Sequence, residues 1–349
     1  MEKFEEYVQK SVKLEKNNSK NYILQQKEKI SNNYYPRSFS NPLSIQYELT
    51  SKCNMYCRHC YNRSGENQQN DKMGIEQWKK LSEELVANGG VFQCVISGGE
   101  PLLLGDGLFE IMDILDADGT IFLLISNGYN MTEETVMRLK KYRYQWIQIS
   151  IDSSSPESHD ELRQKPGSWE RAVNAALMVS DAGLPLAIAN SVMPDEIDNF
   201  PDMAKLAYQC GASLLITGEI LPSGRAAINN ELLLSNEQRG KFWKITDNVS
   251  SLYYNRMSVR RSSSGKIQLE EAMELPNTGV IIRPNGDIRL ECVAPFVIGN
   301  VLTASFPAQW NNGRDIWKHE KIAEYVNSID QYSGVSTLHK NYVEGDICL

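Results

Sequence analysis

Long apolar runs are missing from this chain of 349 residues. The longest, such as "IFLLI" at 121–125, fall far short of the roughly 20 residues that a membrane-spanning helix needs. The N-terminal "MEKFEEYVQKSVKLEK" also lacks the apolar centre of a secretion signal, so a cytoplasmic location with no membrane association is expected. Histidine is scarce, with only His59, His159, His319 and His339, and their scatter suggests no histidine metal site. Basic charge is short as well. The net charge is -8, which leaves no nucleic-acid footprint and excludes such a partner from the expectations. Residues 1–37 go against this trend, with eight Lys or Arg and five Glu, leaving -11 for the remainder. Two readings fit that segment: a solvated amphipathic helix, or a docking surface for an acidic partner.

What is present is enough for a sizeable core, with 41% hydrophobic and 23% charged residues. Apolar, β-rich runs recur at 43–49, 91–97, 121–126, 146–151, 185–192 and 213–219, each short and bounded by turn residues. Periodic segments near 75–89, 104–117, 132–142, 169–182 and 199–210 alternate with them, and Thr132 is placed to cap one helix. Such alternation predicts right-handed βαβ units. The fold class is therefore α/β, a partial (β/α)6 barrel with a small α+β C-terminal extension. That extension contains a β-hairpin at 279–292 around Asn285-Gly286, preceded by a polar, turn-rich stretch at 250–275. The expected organisation is a helical segment at 1–42, the barrel at 43–235 and the extension at 236–349.

Seven cysteines occur, an odd number with one tight cluster, "CNMYCRHC" at 53–60. Without a secretion signal, this argues for metal chemistry over a disulfide framework. A closed structural zinc site takes four protein ligands, whereas Cys53, Cys57 and Cys60 supply three. A [4Fe-4S] cluster with one iron left open suits the count. The loop would follow the first strand, at the C-terminal edge where such sheets hold ligands.

This CX3CX2C loop, on a partial barrel, resembles that of the radical S-adenosylmethionine (SAM) enzymes. The resemblance extends to "SGGEP" at 97–101, "SNG" at 126–128, "SIDSSSPESHDELR" at 150–163 and "PSGRA" at 222–226, and so covers about 43–230. It implies a cluster on the three cysteines and SAM held by Gly98, Gly99, Glu100, Pro101, Ser126, Asn127, Ser150, Asp152 and Arg163. In that assignment Glu100 meets the amino group, Ser150 and Asp152 lie near the ribose, and Arg163 meets the carboxylate. Tyr56, His59, Asn190 and Leu221 are also implied as cofactor contacts. The implied chemistry is reductive cleavage of SAM to a 5′-deoxyadenosyl radical that abstracts a hydrogen atom from the substrate. Residue chemistry agrees, since paired glycines let backbone approach a ligand closely and an arginine offers a bidentate fork to a carboxylate.

Residues 282–317 resemble the SPASM and twitch extension of peptide-modifying members. They depart from it in cysteine: none stands between 211 and 291, and only Cys348 follows Cys292. One cluster is therefore expected, and an auxiliary cluster would require unusual ligands. Cys292 and Cys348 are candidate hydrogen-atom donors, should the reaction invert a carbon. The leading expectation is a maturase of ribosomally made peptides, acting on a substrate with an acidic leader and served by flavodoxin or ferredoxin. Alternatives are oxidation or rearrangement of a small molecule, and a non-catalytic iron-sulfur or zinc scaffold. A peptide would need a long groove and a small molecule a closed pocket.

Overall fold

The computed structural model describes residues 4–349 apart from 35–38, 66–70, 223, 263–264, 276–278, 293, 314 and 331–345. Helix α1 (Phe4–Ser31) comes first, followed by β1 (Ser44–Glu48), α2 (Ile75–Ala87), β2 (Gln93–Ser97), α3 (Asp106–Ala117), β3 (Ile121–Ser126) and α4 (Glu133–Leu139). Next are β4 (Tyr144–Ser150), α5 (Pro156–Arg163), α6 (Ser168–Asp181), β5 (Leu186–Val192), α7 (Phe200–Gln209) and β6 (Leu214–Glu219). These six strands pair in sequence order, all parallel, as the alternation predicts.

Beyond them lie α8 (Asn236–Leu252), β7 (Ser258–Arg261), α9 (Gly265–Glu274), β8 (Gly279–Ile282), β9 (Asp287–Arg289), β10 (Phe296–Asn300), α10 (Phe306–Gly313), α11 (Glu320–Ser328) and β11 (Ile347–Cys348). The predicted hairpin is β8 with β9. Residues 250–275 are not a turn-rich stretch: they hold the end of α8, a strand and a helix. Strand β7 extends the sheet beside β6, and β8 extends it beside β1, both parallel. Eight parallel strands thus stand side by side in an open sheet, with β9, β10 and β11 beyond β8.

The strands alternate in a way that makes both a core and a hollow. Ile45, Tyr47, Cys94, Ile96, Phe122, Leu124, Ile147 and Ile149 have no exposed surface and pack beneath the helices. Tyr47 meets Trp78 of α2, with ring centroids 4.8 Å apart, and the Trp78 indole donates to the Leu49 carbonyl at 3.1 Å. The opposite face carries Gln46, Gln148, Ser150 and Ser191, small or polar side chains that leave room at the strand ends. Helix α1 packs Val8 and Val12 into the main core and lies against α8.

Candidate active site

The loops at the C-terminal ends of the strands enclose a cavity of about 260 Å³. Cys53, Cys57, His59 and Cys60 line it, with Gly98, Gly99, Ser126, Asn127, Ser150, Asp152 and Arg163. Residues predicted from four separate segments thus meet on one surface. Tyr56, Glu100, Pro101, Asn190 and Leu221 stand outside that lining.

The loop after β1 is pinned at its base. The Asp71 carboxylate accepts from the Thr50 hydroxyl at 2.5 Å and from the Ser51 amide at 3.0 Å. The Gly99 amide donates to the Thr50 carbonyl at 2.6 Å, and the Glu100 amide to the Lys52 carbonyl at 2.9 Å. A Cβ at position 99 would collide with the Lys52 carbonyl, so glycine is what lets β2's loop lie against the cysteine loop.

Glu100 is fully buried and accepts from the Leu102 amide at 3.1 Å, the Ser126 hydroxyl at 2.9 Å and the Asn127 amide at 2.8 Å. Burial pushes its carboxyl up, against the pull of those donors. Its visible work is to tie the end of β2 to the end of β3. Pro101, buried beside it, opens a short helical turn. Asn127 then reaches the cysteine loop, donating to the Asn54 side chain at 2.8 Å, with Cys53 Sγ at 3.9 Å.

Asp152 and Arg163 form a buried pair, with Nε donating to Oδ2 at 2.8 Å. Ser155 caps α5 and Pro156 starts it, and the helix delivers Arg163 in its last turn. Burial raises the Asp152 carboxyl, but the Arg163 guanidinium, the two histidines and the Ser191 amide outweigh it and hold it at about 2. Asn190 supports the pair from behind, donating to the Asp152 carbonyl and accepting from the Thr217 hydroxyl at 2.8 Å. His159 accepts from the Asp152 amide at 3.1 Å. Burial lowers His59 to about 4, leaving a neutral imidazole whose Nδ1 is buried without a hydrogen bond among the described residues. Tyr56 is half exposed, its ring 4.0 Å from the Arg225 guanidinium, and Leu221 is half-buried.

Burial pushes the Cys57 thiol up to about 12 and raises Cys53. Bound iron would reverse this by taking the thiolate form. Among the described residues no three His, Cys, Asp or Glu side chains converge as they would around a single ion. Three thiols spread along one cavity wall, beside an unsatisfied imidazole nitrogen, instead fit a cuboidal cluster in which each thiolate takes a different iron.

Cys292 is half-buried, and its thiol donates to Glu291 Oε1 at 2.8 Å. Tyr61 lines the cavity and donates to Glu48 Oε1 at 2.9 Å. Burial, Glu48 and Cys292 all push the Tyr61 hydroxyl up, and Cys292 is not among the residues that line the cavity. Cys348 is exposed on the edge strand β11, outside the lining.

The Radical SAM superfamily model matches residues 47–207, which include every cavity residue except Arg225. The chain carries a radical SAM domain. Members of this superfamily bind SAM and an iron-sulfur cluster. The chain is 28% identical over 282 residues to the antilisterial bacteriocin subtilosin biosynthesis protein AlbA of Bacillus subtilis, covering 78% of this chain but only 60% of AlbA. It is 25% identical over 309 residues to an AdoMet-dependent heme synthase of Nitratidesulfovibrio vulgaris, covering 81% and 82% of the two chains. In fold it is similar to the crystal structure of Streptococcus suis SuiB bound to its precursor peptide SuiA. There the TM-score is 0.62 at 14% identity, over 85% of this chain and 69% of SuiB. The partial barrel with its α+β extension is the architecture of that fold.

Sequence reasoning named the PSGRA segment but gave Arg225 no role; Ser223 of that segment lies outside the described residues. Tyr61 and Glu48 were also passed over. Their signal was available only as a tyrosine adjoining the last cysteine and a carboxylate ending the first strand.

Proposed function

We propose that this chain cleaves SAM reductively and uses the radical to modify a ribosomally made peptide, by cross-linking, epimerisation or a related change at a carbon-bound hydrogen. The observation that carries this reading is the convergence of Cys53, Cys57 and Cys60 with the glycine, serine, Asp152 and Arg163 positions on one cavity. A [4Fe-4S] cluster on the three thiolates would supply the electron for SAM cleavage. Arg163 commits Nε to Asp152, and its two terminal nitrogens make no hydrogen bond among the described residues, which suits a carboxylate arriving in the cavity. Asp152, ionised at neutral pH, fixes that fork and carries acceptor capacity toward hydroxyls. The polar wall of Gln148, Ser150 and Ser191 offers further hydrogen bonds.

Similarity to AlbA and the hairpin of β8 and β9 support a peptide substrate. Helix α1 presents Lys13 and Lys20 to solvent, as docking of an acidic leader requires, and flavodoxin or ferredoxin would deliver electrons. Of the two candidate hydrogen-atom donors, we favour Cys292, which is half-buried where Cys348 is exposed on an edge strand. Similarity to a heme synthase and the modest cavity favour a second reading, oxidation of a small molecule.

Incubating reconstituted protein anaerobically in deuterated water with SAM, a strong reductant and acidic-leader peptides separates these. A cross-linked peptide loses two hydrogens and an epimerised one gains one deuterium. Unmodified peptides throughout, with turnover appearing only on porphyrin or sugar substrates, would move the assignment to the second reading.

A further inference from the structure

Arg225 is buried, with 4% of its surface exposed, and its side chain reaches the cysteine loop at Tyr56, Cys57 and Ser64. Its Nε donates to the Cys57 carbonyl at 2.7 Å and its Nη1 to the Ser64 carbonyl at 3.0 Å, while its own amide donates to the Cys60 carbonyl at 3.0 Å. Its guanidinium also stacks on the Tyr56 ring at 4.0 Å. Four residues on, the Asn229 side chain donates to the Arg58 carbonyl at 3.1 Å and to the Arg225 carbonyl at 2.9 Å.

The approach is close because of Gly224. It has φ of +52°, and an added Cβ would meet the Cys60 and Tyr61 carbonyl oxygens. A segment from beyond β6 therefore grips four carbonyls of a loop that follows β1. The loop has little regular structure of its own to fix those carbonyls.

We propose that Arg225 is a positioning residue for the cluster. By holding the Cys57, Cys60 and Ser64 carbonyls it sets the directions in which the Cys57 and Cys60 side chains leave the backbone. It also brings a permanent positive charge to the cavity wall, which favours the reduced, more negative state of a cluster there. A lysine cannot reproduce it: one ammonium lacks the planar fork and the stacking face. The electrostatic half of this inference rests on the reading of Cys53, Cys57 and Cys60 as cluster ligands; the mechanical half does not.

The test uses the full chain, as Arg225→Gln and Arg225→Lys. In metal-free protein, the amides of Arg58, Arg63 and Gly65, bonded to Leu162, Cys60 and Ser51 carbonyls, are followed by hydrogen exchange. Exchange roughly tenfold faster in Arg225→Gln, with Arg225→Lys intermediate, is expected from the loss of charge-assisted bonds. Rates equal to wild type overturn the clamp. In anaerobically reconstituted Arg225→Gln, a lower midpoint potential and an altered electron paramagnetic resonance spectrum on SAM addition are expected. Unchanged values overturn the electrostatic half. If Arg225→Gln does not fold, as judged by circular dichroism, Arg225→Lys carries the exchange readout and Arg225→Met, which keeps the aliphatic stem and removes the charge, carries the potential readout. Should Cys57→Ala load the same iron as wild type, the ligand reading fails while the exchange result still decides the clamp.

Discussion

At the scale of single residues, the site is built from groups whose charge is set by their neighbours. Asp152 is the clearest case. Its carboxyl, held at about 2 against an ordinary value of 3.8, gives a stabilisation that is fully present above about pH 4 and is lost as the pH falls toward 2. A shift of this size corresponds to about 2 kcal/mol. Asp152→Asn lacks that contribution and leaves Arg163 buried without its ion pair. Urea unfolding should therefore show a deficit of this order or larger at pH 7, shrinking as wild type is brought to pH 3; a constant deficit would mean that the carboxylate is not what stabilises the fold. These residues were legible in sequence because each sits beside a strand-end motif. Arg225 was not, because its partners are backbone carbonyls about 160 residues earlier, and no side-chain pattern records them.

At the scale of elements, the parallel strands and their helices follow from apolar runs and capping signals. Thr132 behaves as its position predicts, accepting from the Thr135 amide at 3.1 Å ahead of Glu133 and Glu134. Thr132→Ala should cost about 1 kcal/mol, measured as a shift of the urea midpoint at constant slope. Helix α5 escaped notice as a helix because its eight residues are mostly polar and it inserts between β4 and α6, where one crossover helix was expected. Strand β7 was hidden for a related reason: "SVRR" has one buried apolar residue, Val259, and gains its regularity by pairing with β6. Tertiary pairing, not local propensity, makes these two elements.

At the scale of the whole molecule, the C-terminal extension reaches back to the loop and rim that follow β1. The hairpin turn reaches the cysteine loop, where the Pro284 carbonyl accepts from the Lys72 and Met73 amides, both at 2.9 Å. Arg283 pairs with Glu48 at 3.6 Å and with Asp346 at 2.6 Å, so the β1 rim and the last residues share one cation. No described helix is long and apolar enough to cross a membrane. The C-terminal extension was legible as a hairpin in the sequence, but its attachment beside β1 was not, since that depends on which strand edge stays open.

The central claim is that Cys53, Cys57 and Cys60 hold a redox cluster that cleaves SAM. The most direct test is 5′-deoxyadenosine formation under anaerobic, reducing conditions, comparing wild type with Cys57→Ala. The account predicts formation in wild type and its loss, to the level of a protein-free control, in the variant. Equal formation in both, with equal iron content, would contradict it.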